Sequence, residues 1–402
     1  MFDCVWKHKK RYDFRKLLIR HGMTRRDFDR MVETHDKSLA KYAVENIAKH
    51  AAQMIYELDM DEIQPPRIRT RIDITTGKVR EIGCECAMQQ VLDIIAVNGA
   101  MDIFKRRIVP QQASSIPGRG QVYGMRMIRG WVRKDNAAIE YAQRHKMRHS
   151  SEVKYFVKTD IRKCYPSMRL EVFMKYFEKD CGNVYLLWLW RSLLESHRID
   201  EEHQGFMIGA LVSQWAAQYL ISFAFEDIMQ LKVKGRRGKG DQKAVSHMCI
   251  FMDDMLMTGP NRRHLLKAVK RLEAFMLVKL MLTIKPNWQI MELKDNQGID
   301  MMGYIIYRSG KTAIRSRDFI RARRMALRAI RENNISYRQA KRITAYKGYF
   351  KHTDCVKAVK LYLLPRVFRI AQKVVSKFEK RLRNGKSTFQ RRTLPNQIHA
   401  TA

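Results

Sequence analysis

The stretch HMCIFMDDMLMTGP, residues 247–260, sets two adjacent aspartates, Asp253 and Asp254, inside a run of Met, Cys, Ile, Phe and Leu. A carboxylate buried in apolar surroundings is costly unless something neutralises it. The apolar residues read as two short strands and the aspartates as the tight turn between them, where Asp is at home. An ordinary hairpin turn would carry such a pair without further consequence. The surrounding chain argues for more.

Upstream, VKYFVKTDI (residues 153–161) is a short apolar strand that ends in Asp160. Between it and the hairpin lie LEVFMKYFEKD and LLWLWRSLLES, two amphipathic patterns, and the longer IGALVSQWAAQYLISFAFEDIMQL. NRRHLLKAVKRLEAFML follows as another helix, then LTIKPNWQIMEL as a strand and IDMMGYIIYRSGKTAIR as a hairpin. Strand, helices, hairpin, helix, strand suits an antiparallel sheet with helices on one face, so the fold class is α+β. In that arrangement the end of the first strand lies beside the hairpin turn, and Asp160, Asp253 and Asp254 converge. Like charges at that range do not all stay ionised without a cation. Two Mg²⁺ ions held by carboxylates would resolve the repulsion, and nucleotidyl transfer needs the same arrangement.

As an ordered set, these motifs resemble those of reverse transcriptases. FMDD looks like their Tyr/Phe-x-Asp-Asp hairpin, and KTDIRKCYPSM like their first catalytic motif, an Asp followed five residues later by an aromatic. IGALVSQ resembles the helix over the nascent base pair, LTIKPNW and IDMMGYII the two downstream motifs, and TTGKVREIG the fingers hairpin. The resemblance covers roughly residues 60–355 and implies a right-hand polymerase. It makes Asp160, Asp253 and Asp254 the metal-binding carboxylates, with the backbone of Ile161 completing one metal shell. Mn²⁺ is an acceptable substitute for Mg²⁺ in such sites. Lys285 falls where the family has a lysine near the leaving pyrophosphate, a general acid. Tyr165 falls at the steric gate, where an aromatic ring excludes the ribose 2′-hydroxyl. Arg80 stacks on the incoming dNTP and binds its phosphates, and its planar fork suits them. Arg67, Arg69 and Arg71 stand where many relatives have a lysine, and Arg71 is assigned to the nucleotide. Ile208 and Gly209 join the nucleotide site. Arg119, Ser213, Met252, Gly303, Arg324 and Lys347 are assigned to the template–primer. A core tyrosine, a surface arginine and an incidental lysine are the plainer readings of Tyr165, Arg80 and Lys285.

The apolar-Gly-x-x-x-Ser-Gln form of IGALVSQ, with Ile208 where most bacterial relatives have Gln, resembles the enzymes of diversity-generating retroelements. Those elements copy with errors at template adenines and use a small basic accessory protein. A defence-associated bacterial reverse transcriptase has the same chemistry. An RNA-dependent RNA polymerase and a maturase-like RNA-binding protein are readings from other classes; Tyr165 speaks against the first, and the intact carboxylates against the second.

Segment by segment, residues 1–60 read as a basic helical extension and 61–152 as fingers. Residues 153–310 are the palm, 311–375 a helical thumb, and 376–402 a basic disordered tail. LAKYAVENIAKHAAQMIYEL has helical spacing, which Pro65 and Pro66 would end. RIRTRIDI, TTGK and VREIG read as a hairpin, and SSIPGRGQVYGM as a Gly-rich loop opening a basic helix.

The chain has 402 residues, with 78 Lys+Arg against 40 Asp+Glu, a formal charge of +38. Such an excess repels itself in a compact state unless a polyanion is present, so RNA template and DNA or RNA primer are the expected partners. Arg321, Arg323, Arg324, Arg328, Arg331, Arg338, Lys341 and Arg342 form a basic face suited to their backbone. The longest apolar run, VYLLWLW, is far too short for a bilayer, and the N-terminus lacks an apolar leader, so a cytoplasmic location in a bacterial or phage-infected cell is expected. The seven cysteines are scattered and lack zinc-site spacing.

Overall fold

The computed structural model describes residues 12–34, 36–72, 79–234, 240–332, 335–362 and 364–383. The TTGK turn, the basic loop at 235–239 and the tail from residue 384 lie outside the described residues. The chain falls into two compact units, each discontinuous in sequence: residues 1–116 with 157–290, and residues 117–156 with 291–402. The class is α+β, as expected.

The first unit opens with the helices Tyr12–Arg20, Arg25–Thr34 and Lys41–Glu57. The last of these does not run to Pro65. It stops at Leu58, which adopts left-handed backbone (φ 57°) while Asp59 N–H donates to Met54 C=O at 2.9 Å. A helix end closed by its own backbone needs no proline. The strands Arg67–Ile72 and Val79–Cys84 then pair antiparallel, with Arg71 opposite Arg80 and Arg67 opposite Cys84.

Helices Ala87–Gly99, Met101–Arg107, Leu170–Asp180, Val184–Glu195 and Leu211–Gln230 form the helical layer. Its core is aromatic. Phe104 packs on Trp190, Trp215 and Tyr219 with ring centroids 5.5, 5.2 and 5.9 Å apart, and Phe173 and Phe177 join them. Trp190 is fully buried, and its indole N–H donates to Ala96 C=O at 3.1 Å, so the ring is buried without an orphaned donor. At the rim, Arg107 grips Asp180 with two hydrogen bonds, 2.8 and 3.0 Å.

Strands His247–Phe251 and Asp254–Gly259 form the expected hairpin, and strand Tyr155–Asp160 lies next to Asp254–Gly259 in the sheet. Met248, Cys249, Ile250, Met255, Leu256 and Met257 are fully buried, which explains the long apolar run on both arms. Helix Arg262–Leu280 follows, its first turn capped by Asn261 Oδ1. The expected strand over LTIKPNWQIMEL is reduced to a single bridge, Ile161 to Ile284, and the short strand Ile290–Glu292. Pro286 has no N–H for a ladder and breaks the run between them.

The second unit contains the helix Gln121–Arg144 and the three-stranded sheet Ile299–Met301, Tyr304–Ile306 and Thr312–Ile314. Asp135 on that helix is buried and bonded by Arg308 (2.7 Å), Ser151 (2.6 Å) and Glu152 N–H (2.7 Å). The helix was expected to belong with the fingers segment; it packs with the chain that follows residue 291. Helices Ser316–Arg331, Tyr337–Phe350, Val356–Leu361 and Leu364–Arg383 enclose a core that includes Ala326, Ile343, Phe350, Leu364 and Phe368. The last helix runs past residue 376, the expected start of a basic disordered tail. Val374 is buried, and Phe378 stacks on Tyr337 at 4.0 Å, so apolar contacts carry the helix on. Among the described residues, no helix is long and apolar enough to cross a membrane.

Candidate active site

Phe251 pairs with Asp254, which leaves Met252 and Asp253 as a two-residue hairpin loop. Met252 sits there with φ 56°, a left-handed conformation costly for a side chain with a Cβ and typical of functional turns. It is 40% exposed at the tip. Ile161 N–H donates to Asp253 C=O at 3.1 Å, so this edge of the Asp160 strand faces the turn. The predicted convergence of the two chain segments is therefore present.

The three carboxylates are not equivalent. Asp253 is half-buried. Burial, then the nearby Asp160 charge, raises its pKa above the ordinary carboxylate range. Asp160 Oδ1 is buried, takes no hydrogen bond of ordinary geometry, and has the Lys285 ammonium against it. Asp254 is turned onto Lys158, Nζ to Oδ2 3.1 Å. Among the described residues, no three acidic, His or Cys side chains stand together as a formed metal-holding group. The expected triple convergence is thus a close Asp160–Asp253 pair with Asp254 at its side. Two half-buried carboxylates, one of which raises the proton affinity of the other, have the chemistry of a hard divalent-cation site. The residues fit such an ion.

Tyr165 lies in the one-turn helix Cys164–Ser167, entered through Lys163 in left-handed backbone (φ 45°). It is half-buried, and burial together with the nearby Cys164 and Asp253 pushes its phenol pKa up. Its carbonyl accepts from Phe206 N–H at 2.9 Å. A Cβ on Gly205 would lie 2.0 Å from Pro166 O, so only glycine lets these two segments meet.

Ile208 and Gly209 do not belong to the long helix, contrary to the sequence reading; it starts at Leu211. Gly209 adopts φ +116°, outside the helical region, and a Cβ there would lie 2.8 Å from Gly83 O and 2.9 Å from Ile82 Cγ2. Ile208 C=O accepts from Gly83 N–H at 2.8 Å. The loop is therefore fastened to the hairpin that carries Arg71 and Arg80, both exposed and directly opposite one another. Two like charges in register repel and favour an anion between them.

Ser213, expected at the template–primer, is fully buried, with Oγ 3.3 Å from His197 Nδ1. Arg119, Gly303, Arg324 and Lys347 all fall in the second unit. Gly303 (φ +86°) follows Met302 in the turn between Met301 and Tyr304. Arg324 is exposed, and Lys347 Nζ donates to Gln372 Oε1 at 2.6 Å.

Sequence reasoning missed Lys158 and a buried polar group made of Glu85, Asp93 and His197. Lys158 is two residues before Asp160 on a strand, hence on the same face, and that spacing was a usable signal. Asp93 interrupts the otherwise apolar VLDIIAV, the same anomaly that marked Asp253.

The sheet thus carries two carboxylates, at a strand end and at the adjoining hairpin tip, flanked by a lysine and an aromatic. The sequence profile of the family described as reverse transcriptase (RNA-dependent DNA polymerase) matches residues 75–306. The match spans more than half of the chain, and the protein belongs to this family. No curated protein matches the chain in sequence. Among solved structures, telomerase from Candida albicans in complex with a fragment of telomeric RNA is similar at 12% identity and a TM-score of 0.44. That alignment covers 85% of this chain and 60% of that one. Apo telomerase from Candida tropicalis, truncated from its C-terminal domain, is similar at 11% identity and a TM-score of 0.41, covering 63% and 55% respectively. The chain thus spans between 55% and 60% of the length of these two proteins.

Proposed function

We propose that the protein is an RNA-directed DNA polymerase that extends a primer on a structured RNA template. The observation that carries this reading is the juxtaposition of Asp253 at the hairpin turn with the end of the Asp160 strand, within the segment that matches the family. Asp160 and Asp253 would hold the divalent cations, two Mg²⁺ ions in this reading, with Asp254 the third carboxylate. Bound there, the cations supply activation of the primer 3′-oxygen and neutralise charge on the triphosphate.

The chain's own residues do the rest. Arg71 and Arg80 bind the triphosphate from the hairpin. Tyr165 presents its ring where a ribose 2′-hydroxyl would lie, which favours dNTPs. Lys285, placed against Asp160, can deliver a proton toward the leaving pyrophosphate. Met252 lies under the primer end, and the basic helices of the second unit, Arg324 among them, take the template–primer backbone.

A diversity-generating retroelement is the context we favour. Ile208 offers its backbone carbonyl to Gly83 and has no side-chain donor for the incoming nucleotide, so selection there is looser. A small basic accessory protein would accompany the enzyme. Primer extension on an RNA template with dNTPs and Mg²⁺ tests the activity: the native chain extends, and Asp253→Ala does not. Extension that survives Asp253→Ala would falsify the site. Tyr165→Ala should admit ribonucleotides, and no rise in their incorporation removes Tyr165 from the gate.

A further inference from the structure

Helix Leu211–Gln230 begins without a cap of its own. Its N-cap residue is Ala210, which has the extended backbone of a cap (φ −75°, ψ 141°) but no side-chain acceptor. The first N–H groups of a helix are orphaned and carry partial positive charge, so a buried start needs an acceptor from elsewhere. Asp93, on the neighbouring helix Ala87–Gly99, supplies it: Oδ2 accepts from Leu211 N–H at 2.9 Å and from Val212 N–H at 3.2 Å. Asp93 is 1% exposed.

The reason for a buried carboxyl group here lies two residues upstream of Leu211. Gly209 must sit against Gly83 with no room for a Cβ, and Ile208 C=O must meet Gly83 N–H. A helix that started half a turn later would pull both away. The same wall is tied again behind Asp93. Glu85, two residues past Gly83, meets His197 Nε2 at 3.2 Å, and His197 Nδ1 meets Ser213 Oγ on the capped helix. Hydrophobic packing alone could bury these helices, but it could not set the residue at which the second one begins.

We propose that Asp93 is a positioning residue for nucleotide binding: by capping the helix Leu211–Gln230 from the adjacent helix, it holds Ile208 and Gly209 against the arginine-bearing hairpin. This rests on the reading of Gly209 as part of the nucleotide site. Asp93→Ala then raises the KM for dNTP about tenfold and leaves kcat within about threefold, the split expected when binding geometry rather than chemistry is disturbed. Hydrogen exchange in Gly205–Ser213 accelerates in the same variant. Adding Ala210→Ser gives the helix a local cap and restores both values, a rescue that a general packing role would not produce. An unchanged dNTP KM in a folded Asp93→Ala protein overturns the proposal. So does a folded double variant whose KM stays raised. Should Asp93→Ala alone fail to fold, the double variant decides. Absence of extension by the native chain would remove the polymerase reading, whereas the exchange rates of Gly205–Ser213 would still decide whether Asp93 sets the loop.

Discussion

Lys285 is joined to Asp160 twice: its backbone N–H donates to the Asp160 carbonyl at 2.9 Å, and its ammonium pairs with Asp160 Oδ1. The backbone bond places the lysine on the carboxylate whatever the side chain does. Lys285→Met should therefore leave the strand junction intact. We expect kcat to fall about 100-fold, within the usual range for a lost proton donor, with a smaller change in the KM for dNTP. Steady-state primer extension measures it, and an unaltered kcat would make Lys285 a counter-ion only.

Arg71 and Arg80 stand directly opposite one another across the hairpin. Removing one charge should not weaken the free protein, since like charges directly opposite destabilise a strand pair. Arg71→Ala is expected to keep or slightly raise Tm at low salt, while the KM for dNTP rises about tenfold, near the loss of one charge-assisted hydrogen bond. Thermal melts with and without inorganic tripolyphosphate provide the check: the anion should stabilise the native chain more than the variant.

Gly209→Ala forces a Cβ toward Gly83 O at 2.8 Å with φ at +116°. Strained backbone of this kind costs about 1–3 kcal/mol. Because the obstructing atom is backbone, the neighbour cannot swing aside. Denaturant unfolding should record the loss, and dNTP affinity should fall with it. An equally stable variant would mean that the loop has another conformation available.

The buried group behind Asp93 makes stability depend on pH. Burial raises Glu85 to about 7, raises Asp93 well above its usual range, and lowers His197 to about 4. An acid whose folded pKa is raised binds protons more tightly when folded, so its contribution is lost as pH rises from the unfolded value toward about 7. His197 acts the other way: buried neutral, it costs stability as pH falls from 6.5 toward about 4. The two effects overlap, so the native curve alone does not separate them. Glu85→Gln should remove only the first, and the stability of the native protein relative to this variant should decline as pH rises to about 7. A constant difference across that range would place Glu85 in an ionised, solvated state.

Much of the site was visible along the chain because its signals are local. An aspartate pair inside an apolar run, an aspartate ending a strand and an aromatic five residues later are each read within a dozen residues. The α+β order of elements followed from hydrophobic periodicity, and it is what the structure has. The errors fall where an outcome depends on distant partners. Ile208 and Gly209 read as helix because the apolar spacing runs on, but the helix starts where Asp93 supplies its cap. Pro65 and Pro66 looked like the end of a helix that Leu58 had already closed. Ser213 was read as facing nucleic acid, yet the face of a helix that is apolar nearly all round is set by packing.

By itself, the sequence marked the candidates for the chemistry: the carboxylates, a lysine, a tyrosine and the arginines stand in a pattern that resembles one family's, and a formal charge of +38 suits a polyanionic partner. Only the tertiary structure decided how they are used. It separates Asp254, turned onto Lys158, from the Asp160–Asp253 pair, and sets Arg71 opposite Arg80. It also fixes Gly209 through a carboxylate more than a hundred residues away in sequence. The reason is physical: periodicity and turn chemistry act over a few residues, whereas charge pairing, burial and helix capping depend on what the folded chain brings within a few ångströms.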